Sequence, residues 1–282
     1  MAVEYAGVTF VETQVRAGRG PAAQHRPMLP HVPGNGVGGR VVAVGSGIDP
    51  GLVGSAVVAT TGGSGGYAEL ALARVEDTIP LPPGVVLQDA VALLADGRTA
   101  VLQHRRAELK PNERVLVTAA GGGVGTLLVQ LAAASGATVV GAARGTRKRE
   151  LVTSLGAAVY VDYSRPGWER ELLPEGVDVV FDGVGGALGA QAMRAARRGT
   201  RAVLYGMASG AWTNPPEHVR VVPSSGVPSP AEIRAAAEEA LALAAAGRLR
   251  PVIGQTFPLS EAARAHEVIE ARATIGKTLL IP

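Results

Sequence analysis

From Lys110 onward, apolar and polar positions follow two alternating rhythms. Short runs rich in β-branched residues, VLVTA at 115–119 and TVVGA at 138–142, are each followed by apolar residues at helical spacing. The first such stretch, Val124–Ser135, stops at Gly136. The second, Lys148–Leu155, stops at Gly156, and Ala187–Ala196 follows the same pattern. Val159–Val161, Val177–Phe181 and Arg201–Tyr205 supply further strands. Strands apolar along their whole length, separated by helices, predict a parallel sheet covered on both faces: a doubly wound α/β domain.

Residues 1–95 read differently. The β-rich pieces Gly39–Val44, Gly54–Val58 and Tyr67–Leu72 are cut by turns such as Pro33-Gly34-Asn35-Gly36, which predicts a mostly β unit. After Pro228 the pattern predicts a helix over Ala231–Ala246 closed by Gly247, and a strand near Val252–Phe257. A helix over Leu259–Ala271 and a terminal strand Thr278–Ile281 complete the chain. Ser209–Pro230, proline-rich and aperiodic, is expected to be a mobile loop.

Composition narrows the class. The chain has 282 residues, 47% of them hydrophobic, enough for one large domain or two ordinary ones. It offers no uninterrupted apolar run of membrane-spanning length and no basic start followed by an apolar segment, so no membrane partner is expected. With no cysteine, neither a disulfide framework nor a thiolate metal site can form, which points to a cytoplasmic protein. The net charge of +3 is small and its arginines are scattered in short groups, so no nucleic-acid partner is expected.

Candidate chemistry lies between the first strand and its helix, where residues 115–130 read VLVTAAGGGVGTLLVQ. A helix start exposes unpaired backbone N–H groups and the positive end of its dipole, and a pyrophosphate fits there when no Cβ intrudes. Gly122 and Gly123 would admit the phosphates, and Gly125 would let the helix pack closely on the strand. An NAD site would place an acid after the second strand to hold the adenine ribose. This chain has Ala142, Ala143 and Arg144 there, then Arg147 and Lys148. Cations at a helix start are electrostatically odd but suit a 2′-phosphate, which Arg144 can grip as a fork and Lys148 as a point charge, favouring NADP(H) over NAD(H).

AAGGGVGTLLVQ and the following residues to VDY at 161–163 resemble the medium-chain dehydrogenase/reductase superfamily, in its zinc-free quinone oxidoreductase branch. GVTFVETQVRAG near the start, GYAEL at 66–70, FDGVGG at 181–186, VLYGMASG at 203–210 and IGKTLLIP at the end extend the resemblance. It implies a Rossmann doubly wound parallel sheet over 97–249. A partly truncated GroES-like β domain over 1–96 and 250–282 is implied beside it, with NADPH as cofactor. By position, Gly122, Gly123, Val124 and Gly125 would hold the pyrophosphate, and Arg144 and Lys148 the 2′-phosphate with Tyr163 flanking it. Tyr205, Gly206 and Met207 would line the nicotinamide side, with Thr99 and Lys277 near the cofactor. The resemblance also implies a homodimer.

Departures bear on activity. Thr9 stands where the family has an asparagine approaching the nicotinamide, and Gln14 where a tyrosine is common. The five histidines, His25, His31, His104, His218 and His266, have no zinc-ligand spacing. Without a Lewis acid to hold an alkoxide, the expected reaction is hydride transfer to a small-molecule electrophilic acceptor, a quinone or an α,β-unsaturated carbonyl compound. The alternative is an NADPH-binding protein with lost or weak turnover, serving as a redox sensor or structural component. A methyltransferase on a similar sheet would need an acid where Ala142 and Ala143 stand. Asp96, Glu12 and Tyr5 are considered as acid–base groups, and none is assigned a catalytic role.

Overall fold

The glycines that end the predicted helices do so by leaving the helical region. Gly136, Gly156 and Gly247 have φ of +77°, +112° and +68°, a conformation that stops a helix at little steric cost. The computed structural model describes residues 1–19, 27–223 and 228–282; His25 and the 224–227 part of the expected mobile loop lie outside them. In chain order the elements are β1 (Ala2–Val8), α1 (Phe10–Ala17), β2 (Gly36–Arg40), β3 (Ala56–Thr60), β4 (Thr78–Pro80) and α2 (Leu87–Ala107). There follow β5 (Arg114–Thr118), α3 (Gly123–Ala134), β6 (Thr138–Ala143), α4 (Arg149–Ser154), β7 (Ala157–Asp162), β8 (Val177–Asp182) and α5 (Gly186–Arg194). Then come β9 (Ala196–Leu204), β10 (Arg220–Val221), α6 (Pro230–Ala245), β11 (Ile253–Pro258), α7 (Ala262–Glu270) and β12 (Lys277–Ile281).

Two units result, one of residues 1–98 with 230–282 and one of residues 99–229. The second holds a wholly parallel sheet in the order β10-β9-β8-β5-β6-β7. The chain steps outward from β5 to β6 and β7, then returns to β5's other side for β8 and β9. The strand order therefore reverses between β5 and β8, and ligands of open α/β sheets bind outside the carboxyl ends of strands at such a point. Its core includes Leu116, Val140, Val161, Val180, Trp168 and Met193, each at most 2% exposed.

The first unit is a mixed sheet in the order β11-β12-β1-β2-β3-β4, in which β11 and β12 run parallel and the other pairs antiparallel. Val3, Ala6, Val37, Ala59 and Leu280 line its core with Ala265 and Ile269 of α7.

The predicted strand over Tyr67–Leu72 does not form. Its backbone groups are used one at a time, with Tyr67 N–H donating to Pro33 O and Ala71 N–H to Met1 O, and only an isolated bridge joins Leu70 to Ala2. Two helices were not foreseen. In α1 a capping box starts the helix: Glu12 N–H donates to Thr9 Oγ1 and Thr9 N–H to the Glu12 carboxylate. In α2, Ala90, Val91, Leu93, Leu94, Ala100 and Val101 are buried at helical spacing. Helix α6 groups with the first unit rather than with 97–249. Arg234 donates to the carbonyls of Glu76 and Thr78, and Ala240 lies where any Cβ on Gly97 would come within 2.8 Å.

Within the second unit, Arg201 of β9 holds the carboxyl end of α2. Its guanidinium donates to Ala107 O at 3.0 Å and to Glu113 Oε2 at 2.7 Å, with both side chains about 15% exposed. Burial pushes the Glu113 carboxyl up, and the Arg201 and Lys110 hydrogen bonds outweigh it and hold the carboxyl below its usual range. Arg201→Ala therefore takes this donor from Ala107 O and leaves Glu113 Oε2 with only the Lys110 N–H. We expect it to lower unfolding free energy by about 2 kcal/mol, read from the urea midpoint at unchanged slope.

Candidate functional site

Between β5 and α3 the chain turns on Ala119, a non-glycine residue at φ +52°. The turn closes with Gly122 N–H donating to Ala119 O at 2.8 Å. The ladder of α3 begins with Thr126 N–H to Gly122 O at 2.9 Å, so the Gly123, Val124 and Gly125 amides precede it, and no side chain caps them. At Gly125 a Cβ would lie 2.2 Å from Ala119 O. Nothing larger than hydrogen fits there, so the helix start rests directly on the strand end and presents bare peptide.

A basic corner adjoins this turn at the end of β6. Arg144 is exposed and has no acidic partner among the described residues. Lys148 is half-buried, and its stem lies over the turn: a Cβ on Gly121 would meet Lys148 Cδ at 2.6 Å. Burial lowers the Lys148 pKa, and the charges of Arg144 and Arg147 lower it further. Such a cation, partly desolvated among like charges, gains from an arriving anion.

Asp162 at the end of β7 holds the corner in shape. Its Oδ1 accepts from Gly145 N–H at 2.8 Å and from the Ser164 N–H and hydroxyl. Burial raises this carboxyl, but the Ser164 and Gly145 bonds and the Arg165 charge together hold it below its usual range. Tyr160 donates to Gly145 O, and burial pushes its hydroxyl up to about 12. Tyr163 lies at the same strand end, half-buried, its ring tilted against Trp168 at 6.3 Å.

Across the strand-order reversal, the Asp182 carboxylate is 1% exposed and fully occupied. Oδ1 accepts from Thr118 Oγ1 at 3.0 Å and from the Val184 and Gly185 amides, and Oδ2 accepts from the Thr213 hydroxyl. Tyr205 N–H and Gly206 N–H both donate to Asp182 O, and Tyr205 OH donates to Thr118 O at 3.4 Å. Gly206 packs on Gly183, where a Cβ would lie 2.5 Å from Gly183 O. Tyr205, Gly206 and Met207 thus follow β9 at the same edge as the turn after β5. Thr99 is half-buried within α2.

Lys277 belongs to the first unit. It is 3% exposed, its ammonium lies 3.3 Å from Asp96 Oδ1, and its stem lies against Gly7. Its charge also favours ionisation of Glu12, although burial dominates and raises that carboxyl overall. Glu12 accepts from Thr9, from Asn35 N–H at 3.0 Å and from Tyr67 OH at 3.4 Å. Tyr67 OH in turn lies 3.0 Å from His266 Nε2. Burial, then the Glu12 charge, raises the Tyr67 hydroxyl; burial, then Arg16, lowers His266. The other ring nitrogen of His266, Nδ1, is buried with no hydrogen-bond partner among the described residues. Both acids thus have partners that sequence reading did not supply, and Thr9 spends its side chain on capping α1.

The second unit therefore brings Gly122, Gly123, Val124, Gly125, Arg144 and Lys148 into one corner, with Tyr163 at its rim. Asp162 and Asp182 were missed, though each closes an apolar run in the same way, VYVD and VVFD.

Residues 1–83 match the alcohol dehydrogenase GroES-like domain family and residues 155–280 the zinc-binding dehydrogenase family. The quinone oxidoreductase of Pseudomonas aeruginosa is 33% identical over 98% of this chain and 88% of its own. A 2-haloacrylate reductase of a Burkholderia species is 32% identical over the same shares. Among solved structures, Escherichia coli quinone oxidoreductase complexed with NADPH superposes with a TM-score of 0.87 at 29% identity, over 99% of this chain and 90% of that one.

The His266 pKa lies below its ordinary 6.5 in the folded chain, so the unfolded chain binds the proton first as pH falls. The stability this confers is complete above pH 6.5 and declines below it, by up to about 1.4 kcal/mol per pH unit. We expect His266→Gln, compared with wild type in thermal melts on both sides of pH 6.5, to flatten the acid-side decline. Parallel declines in the two proteins would show that His266 takes up its proton as easily folded as unfolded.

Proposed function

The chain belongs to the medium-chain dehydrogenase/reductase family, in its quinone oxidoreductase branch, and from that premise we propose that it reduces quinones or α,β-unsaturated carbonyl compounds with NADPH, without zinc. One observation carries the cofactor assignment. A bare helix start and a cluster of uncompensated cations share one corner of the sheet. A diphosphate fits the uncapped amides of Gly123, Val124 and Gly125, and a 2′-phosphate fits Arg144 and Lys148. The bound cofactor supplies hydride from its nicotinamide.

The residues of the chain orient and neutralise. Lys148, whose stem crosses Gly121, reaches both the turn and the basic corner. Asp162 keeps Gly145 and hence Arg144 in place. Asp182 anchors the stretch Tyr205–Met207 that is assigned to the nicotinamide side, with Thr99 as a further cofactor contact. Zinc independence is supported by the donor set: the chain has no cysteine, and no group of three His, Asp or Glu among the described residues could hold a metal ion. The 2-haloacrylate reductase supports an activated alkene as acceptor, and the quinone oxidoreductases support a quinone.

Steady-state NADPH and NADH oxidation with menadione and with an enone tests this reading. Arg144→Ala and Lys148→Ala are expected to raise the NADPH KM about tenfold each and to leave the NADH KM within about twofold. Equal effects on both cofactors would remove the 2′-phosphate assignment. Gly125→Ala, which places a methyl group against Ala119 O, is expected to abolish the thermal shift produced by NADPH. Cofactor binding with no turnover on either acceptor class would instead leave a nucleotide-binding protein without reductase activity.

A further inference from the structure

Of the chain's 27 lysines and arginines only three are lysines: Lys110, Lys148 and Lys277. Their side-chain amines sit in three different surroundings. Lys110 is exposed in the turn before β5. Lys277 is 3% exposed with its ammonium 3.3 Å from Asp96 Oδ1, so it is closed to a reagent and held as an ion pair. Lys148 is half-buried in the basic corner after β6 and has no acidic partner among the described residues. Asp162, at the same corner, is committed to Gly145, Ser164 and Arg165, and Glu150 of α4 forms no ion pair with the lysine.

The stem of Lys148 crosses the glycine turn, where a Cβ on Gly121 would meet Lys148 Cδ at 2.6 Å. The uncapped amides of Gly123, Val124 and Gly125 open directly beyond that turn. Arg144 and Arg147, both exposed, lie close enough for each charge to disfavour the ammonium form. Among the described residues the buried, unpartnered side-chain nitrogens are Arg114 Nε and His266 Nδ1, so Lys148 Nζ opens to solvent. Two guanidiniums and a bare helix start thus surround an amine that no carboxylate keeps protonated. Such an amine is neutral more often than an open one, and the neutral form is the nucleophile. The same cations draw in a phosphorylated reagent.

We propose that Lys148 is a modification site, acylated by small acyl phosphates that dock their phosphoryl group on Arg144 and Arg147. The Nζ lone pair attacks the acyl carbon and an N–C bond forms. The bond from that carbon to the bridging oxygen breaks, inorganic phosphate leaves with the electron pair, and the amine's surplus proton passes to solvent. Nothing is oxidised or reduced. The resulting amide carries no charge, so the corner loses one of its cations. The modification itself stands apart from the reductase reading; its consequence, weaker NADPH binding, rests on that reading.

For the test, the full chain is incubated with acetyl phosphate, and acetylation at each lysine is followed by peptide mass spectrometry. Lys148 is expected to acetylate about tenfold faster than Lys110, with Lys277 unmodified. With N-acetoxysuccinimide, which has no phosphoryl group, the advantage is expected to fall to about threefold. Acetylation of Lys148 no faster than that of Lys110 overturns the proposal. An advantage equally large with N-acetoxysuccinimide overturns the acyl-phosphate class. NADPH is then added as a competitor and is expected to protect Lys148 alone. Preferential acetylation that NADPH does not slow keeps the modification site and strikes the cofactor assignment at this corner.

Discussion

The contact between Gly125 and the carbonyl of Ala119 governs the second unit. With no side chain separating the start of α3 from the end of β5, the helix's first amides come to lie at the sheet edge, uncapped. A methyl group at this contact would push α3 off the strand. The helix dipole and three free-facing amides would then be directed elsewhere, and an anion would lose its seat. Everything nearby is arranged around that junction. Lys148 covers Gly121, Asp162 shapes the basic turn, and Asp182 ties the ends of β5, β8 and β9 together through hydrogen bonds that use all its capacity.

Asp162 and Asp182 are surrounded by backbone and hydroxyl donors, so each acts as a fixed acceptor that shapes loops, and at Asp162 those bonds outweigh burial and hold the carboxyl below its usual range. Glu12 also collects donors, from Thr9, Asn35 and Tyr67, but desolvation dominates and raises its pKa. Its hydrogen bonds join the start of α1 to two loops distant in sequence, which gives the first unit a polar centre among apolar neighbours. His266 beyond Tyr67 extends this centre, and burial lowers its pKa.

Much of the second unit could be read directly. The runs VLVTA, TVVGA and VVFD bury both faces of their strands, so their apolar character is continuous and their helices show in between. The glycine turn and the cations after β6 were legible in the same way, because they are residue types and not distant pairings. In the first unit the signals were weaker. The helix α2 follows Pro82-Pro83-Gly84 and is rich in alanine, which blurs its apolar spacing, and α1 depends on a capping box rather than on a long periodic face. The stretch Tyr67–Leu72 has strand-like residues, yet its hydrogen bonds go singly to partners far along the chain.

The amino-acid order alone determined the parallel sheet, the glycine turn that opens α3, the cations Arg144, Arg147 and Lys148 after β6, and the absence of cysteine. Each follows from local rules: side-chain period, glycine's missing Cβ, and the sign of a charge. Only tertiary structure decided that α6 joins the first unit, that Asp96 meets Lys277, and that Asp182 gathers Thr118 with Thr213. Those are pairings between residues far apart in sequence, and a one-dimensional pattern carries no record of which distant donor will fill a buried acceptor.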